Sequence, residues 1–145
     1  SSMSSASAAP SLHPGQVNVP VGFGELIDKL TILEIKQVHL HGSALDNVER
    51  EFELLSAEVE RSGLRCSAAL RDQLKSVNED LWKIEDDIRL KEREQAFDDD
   101  FIALARAVYR TNDERARLKR QINDEVGSLI VEEKSYADWQ APGSS

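Results

Sequence analysis

Residues 70–88 read LRDQLKSVNEDLWKIEDDI, and this stretch decides the fold. Leu70, Leu74, Val77, Leu81, Ile84 and Ile88 alternate at spacings of four and three, the repeat that keeps one stripe of a helix turned toward a partner helix. No glycine or proline interrupts the run, and the flanking Asp80, Glu85, Asp87, Glu92 and Glu94 are acidic, as suits positions facing water. Ser67 is a good N-cap, so the pattern predicts a helix over about 67–95, which is ~43 Å at 1.5 Å per residue.

Working outward toward the C-terminus, Phe97-Asp98-Asp99-Asp100 reads as a tight connection. Asp98 caps a further helix there, and its neighbours sit at the positive end of the helix dipole. That helix spans about 99–126 and stops at Gly127. Two consecutive helices of matched length predict an antiparallel αα-hairpin. The second arm is irregular: its expected seam is Phe101, Ala105, Val108, Asn112, Arg115, Lys119, Ile122 and Val126, apolar at both ends and polar in the middle. Equal distances from the turn set Asn112 and Arg115 level with Glu79, Asp80 and Trp82, so an ion pair across the hairpin is expected.

Toward the N-terminus, Leu45, Val48, Phe52, Leu55 and Val59 form one seam of a helix over about 44–61, ended by Gly63. Before it, Leu26, Ile27, Leu30, Leu33, Val38 and Leu40 predict a helix from about Glu25 to Leu40, with His41-Gly42 as its end. At 100° per residue Glu34 falls inside this apolar arc, while Ile32 and Ile35 lie opposite it beside Asp28 and His39. Two covered faces on one short helix point to a second protomer or to the tail as the other cover. A homodimer is the simplest outlet. The expected fold is therefore all-α, a bundle of about four helices dominated by the long hairpin. Residues 1–19 read as a disordered leader, 20–136 as a single helical domain and 137–145 as a disordered tail. The apolar Leu129-Ile130-Val131 is expected to dock on the bundle or on a partner.

Composition narrows the function. Across 145 residues the formal net charge is −9, which repels phosphate backbones and argues against nucleic acid. The single cysteine, Cys66, forms no intrachain disulfide, fitting a reducing compartment; cytoplasm is the expectation. No apolar run reaches the roughly 18 residues that cross a bilayer, and the first residues lack the regions of a signal peptide. His39 and His41 stand on different helical faces, so no metal is expected, and without a phosphate loop no cofactor is either. The Glu-x-x-Glu element of all-helical nucleotide pyrophosphohydrolases is missing too.

What remains is a polar set, Glu34, Tyr109, Asn112, Asp113, Arg115 and Lys119. One reading is a satisfied network that fixes register, as an isolated seam asparagine does in coiled coils. The other is a pocket in which Arg115 and Lys119 grip a phosphate or carboxylate, with Glu34 or Asp113 as acid or base. Residues 106–120 carry six positive charges against two negative, a local surplus that favours anion binding or head-to-tail assembly over nucleic acid.

Three stretches carry a resemblance: residues 24–36 (GELIDKLTILEIK), then Tyr109-x-x-Asn112-Asp113-x-Arg115 with Lys119, Ile122 and Asn123, and last Glu132-Glu133-Lys134-Ser135-Tyr136. In them the chain resembles a family of small all-helical bacterial proteins, from proteobacteria and cyanobacteria, known only as a domain of unknown function. Where those relatives have a serine-like cap, this chain has Val21-Gly22-Phe23. The resemblance implies a place beside glycosyltransferase and surface-polysaccharide genes, and a glycosyltransferase as the kind of partner. It adds Asp28, Lys29, Lys36, Lys134 and Tyr136 to the polar set and implies one site built from the first helix, the middle of the fourth and the tail. The function read from all this is a non-enzymatic interaction or accessory module, linked to envelope glycan assembly. The alternative is a binder or enzyme for a phosphorylated or nucleotide-linked sugar.

Overall fold

Four helices form within residues 14–127, the part of the chain that the structure, a computed structural model, describes. They are α1 (Phe23–His39), α2 (Gly42–Ser62), α3 (Ala68–Glu94) and α4 (Asp99–Gly127), with no strand among the described residues. The expected caps act as their chemistry requires. The Ser67 hydroxyl accepts the Leu70 N–H at 3.2 Å, and the Asp98 carboxylate accepts the Phe101 N–H at 3.0 Å. Gln95 closes α3 in the left-handed region.

α3 and α4 fold back on each other. At the turn, Lys91 reaches Asp98 at 3.2 Å and Asp100 at 3.8 Å; at the far end the Ser67 N–H donates to Glu125 at 2.7 Å. Pairings at both ends make the hairpin antiparallel. α1 lies against both arms and carries α2 on its other side. Phe23, Ile27 and Leu30 of α1 join Leu74 of α3 and Leu118, Ile122 and Val126 of α4 in one core. Each such fully buried side chain contributes roughly 1.5–3 kcal/mol. Phe52, Leu55 and Val59 of α2 pack on its edge.

Several expectations are corrected. Val38 is 76% exposed and Ala105 is also exposed, whereas Leu118, outside the expected seam, is fully buried. The reason is that α1 and α3 both cover α4, so its buried arc is wider than a single seam. α1 does have two covered faces, yet the second is met within the chain: Asp28 and Thr31 bond to Asn78 of α3, and His39 stacks on Trp82 at 4.6 Å. Gly42 does not end α1. It opens α2, with a φ of +65° that suits glycine.

Gly24 fixes where α1 sits. A Cβ there would stand 2.4 Å from the backbone oxygen of Lys119, so only glycine allows this approach. The close contact lets Asn123 of α4 accept the Gly24 N–H on its Oδ1 at 2.7 Å. Gly22, the N-cap residue, makes no side-chain cap of its own. The cap that α1 lacks locally is thus supplied from α4.

Candidate functional site

The polar centre of the molecule is built on Asp28, which α1 turns inward between the hairpin arms and which is 3% exposed. Arg115 of α4 holds its carboxylate by two bonds, Nε to Oδ1 at 2.8 Å and Nη2 to Oδ2 at 2.6 Å, the fork geometry in which guanidinium binds carboxylate best. Asn78 of α3 donates to Asp28 Oδ1 and to Thr31 Oγ1, both at 2.9 Å. Thr31 in turn donates to the backbone oxygen of Asp28 at 2.7 Å. Arg115 also reaches Asn112 Oδ1 at 3.4 Å. Among the described residues no buried side-chain polar atom lacks a partner.

The electrostatics follow from that geometry. Burial pushes the Asp28 carboxyl upward, but the hydrogen bonds from Arg115 and Asn78 and the charges of Arg115 and Lys119 outweigh it, holding the carboxyl below its ordinary value. The Asp28 bond raises the Arg115 guanidinium further still, against its own burial. Both groups are charged at neutral pH, and the pair ties the first helix to the fourth through the third.

The other expected site residues separate into different places. Glu34 is half-buried at the far side of α1, where Arg71 and Lys75 of α3 bind it at 2.5 and 3.2 Å. Lys119 pairs with Glu25 at 2.9 Å and Lys29 with Glu51 at 3.4 Å. Lys36 is half-exposed in the last turn of α1, while Asp113 and Tyr109 are exposed on the outer side of α4. Lys134 and Tyr136, with Leu129-Ile130-Val131, lie outside the described residues. The expected partners of Arg115 across the hairpin, Glu79 and Asp80, are exposed instead, because Asp28 reaches the guanidinium first.

Asn78, Arg71 and Lys75 are working residues that no sequence signal above singles out, and Thr31 and Asn123, which stand in the motif stretches, gain their roles only here. Asn78 had a usable signal: with Leu74 and Leu81 it makes a second stripe at spacings of four and three, interleaved with the one through Val77. A polar residue on such a stripe asks for a buried partner.

Elsewhere, a cleft of about 560 Å³ lies under Val17, Val19 and Val21, against Leu26 of α1 and Leu55 of α2. A second, of about 400 Å³, sits by the α2–α3 connection beside Cys66 and Arg71. Burial and the nearby Glu125 carboxylate push the Cys66 thiol upward, which is the wrong direction for a nucleophile. Among the described residues no group of three His, Cys, Asp or Glu side chains is placed to hold a metal ion, and no helix is long and apolar enough to cross a membrane.

Together these features define an all-helical protein whose central acid and base are closed on each other across three helices. The chain belongs to a family of unknown function, DUF6165, whose model matches residues 17–145. No curated protein and no solved structure matches it.

Proposed function

We propose that this chain is a non-enzymatic helical interaction module that acts as a homodimer, an accessory to a larger assembly. The observation that carries this reading is the use made of Arg115. Its guanidinium is bound on two nitrogens by Asp28 and on a third by Asn112, so the group best suited to clamp a ligand already clamps the fold. Glu34, one of the two candidate acids or bases, is likewise held by Arg71 and Lys75, and the second, Asp113, stands exposed on α4 away from Arg115's closed pair. The setting in bacterial envelope glycan assembly, with a glycosyltransferase as partner, comes from the resemblance of residues 24–36, 109–123 and 132–136. A ligand-binding reading, for a phosphorylated or nucleotide-linked sugar, requires opening the Asp28–Arg115 pair.

A thermal-shift screen over such sugars separates the two. A ligand at 100 times its dissociation constant stabilises by ~2.7 kcal/mol, and that shift, lost in Arg115→Lys, would favour the sugar reading. The module reading expects no shift from any of them, a defined dimer in light scattering at micromolar concentration, and a discrete partner in a cross-linked pull-down. A monomer with no such partner sinks it.

A further inference from the structure

No residue between Leu81 and Leu118 is fully buried, although Leu74, Leu118 and Ile122 of the same two helices are wholly enclosed. Beyond the reach of α1 the hairpin continues as a two-helix arm, residues 83–110, that no third helix among the described residues covers. Its surface is not that of a solvated spacer: Leu90, Phe97, Ile102 and Tyr109 are 48, 57, 54 and 62% exposed. Leu90, Ala103 and Leu104 floor a shallow groove of about 460 Å³, rimmed by Asp87, Glu94 and Asp100 around Lys91, which is itself paired with Asp98 and Asp100. An apolar floor with an acidic rim fits a helix face that sets basic side chains beside apolar ones.

This chain displays such a face. At 100° per residue Tyr109, Ile102, Arg106 and Arg110 follow one another across about 100° of the outer side of α4, the apolar pair on one side and the arginines on the other. All four are exposed, and neither arginine is paired among the described residues. Tyrosine and arginine are the residues that most often anchor protein interfaces.

We infer that the distal arm docks a second copy of this chain. The acid-rimmed groove of one copy receives the outer side of α4 of the other, with Arg106 and Arg110 meeting Asp87 and Glu94. The inference rests on the module reading and gives it a surface. The groove and the arginine face are opposite in charge, so a copy whose groove is reversed still offers a normal α4 face.

The test is sedimentation of the full chain with two exposed double variants, Asp87→Arg with Glu94→Arg, and Arg106→Glu with Arg110→Glu. Each alone should weaken self-association at least about tenfold, with unchanged melting at concentrations where the wild type is dissociated. An equimolar mixture of the two should restore it, because every reversed surface then faces its complement. Raising the salt concentration should weaken the wild-type assembly, as expected of exposed charge pairs. A wild-type assembly that neither variant weakens, or variants that do not rescue each other, overturns this surface and leaves the module reading standing. A wild-type monomer through the micromolar range overturns the second copy as occupant, and the pull-down then decides the module reading separately.

Discussion

The two halves of one hairpin have nearly the same seam chemistry and very different burial. Near the open end, Leu74, Leu118 and Ile122 are fully enclosed; toward the turn, Ile84, Ile88, Leu104 and Val108 are only half-buried. The difference is α1. Two helices alone can enclose only the narrow strip where they meet, and a third element laid in their groove turns that strip into a core. The same element brings Asp28 to Arg115 and Asn78, so the enclosed apolar core and the closed polar centre share one cause. Among the described residues the arm has no third helix to enclose it.

The largest expected effect comes from breaking the polar centre. Asp28→Ala leaves Arg115 and Asn78 without their partner and should cost about 3–5 kcal/mol in chemical denaturation. The pH dependence has a definite sign. A carboxyl held below its ordinary 3.8 contributes stability that is complete above that value and is lost as pH falls through the lowered one. The wild type should therefore lose stability below about pH 4 more steeply than Asp28→Asn, which lacks the titrating group. Equal acid profiles would remove Asp28 from the account of why the enclosed half is stable.

Next in size is a matched pair of truncations on one helix. Leu118→Ala, at a fully buried position, should cost roughly 2–5 kcal/mol, whereas the half-buried Leu104→Ala should cost about 1 kcal/mol. Both changes remove the same atoms from α4, so urea midpoints report the surroundings rather than the residue. Similar losses would mean that the arm is already enclosed in solution. If that similarity appeared only at high protein concentration, a second copy would be the enclosing element.

Much of this was readable from the chain. Caps are local, so Ser67 and Asp98 marked the starts of α3 and α4 to within a residue. The stripe Leu70 to Ile88 marked the scaffold. The partner of Arg115 was not readable from spacing: Asp28 lies 87 residues away, and matching positions along the hairpin pointed to Glu79 and Asp80. Only the family motif grouped Asp28 with Arg115. Glu34 was read as part of that group because its angle on α1 is inward, but inward on this helix has two directions. One leads to Asn78 and Arg115, the other to Arg71 and Lys75.

The smallest effect probes the comparison most directly. Asn123→Ala removes the acceptor that caps Gly24 and should cost about 1 kcal/mol, the usual worth of an N-cap. Ser67→Ala removes a cap of similar worth, but one within α3 itself. Equal losses of stability should therefore look different in hydrogen exchange. Ser67→Ala frays the first turn of α3, whereas Asn123→Ala loosens the seat of α1 on α4 and should speed exchange in α1 and around Leu118. If the docking of α1 is what separates the two halves, the enclosed half then shifts toward the protection pattern of the arm while the arm itself is unchanged. Fraying confined to Phe23 and Gly24 would instead show that the Gly24–Lys119 approach and the Asp28–Arg115 pair seat α1 without the borrowed cap.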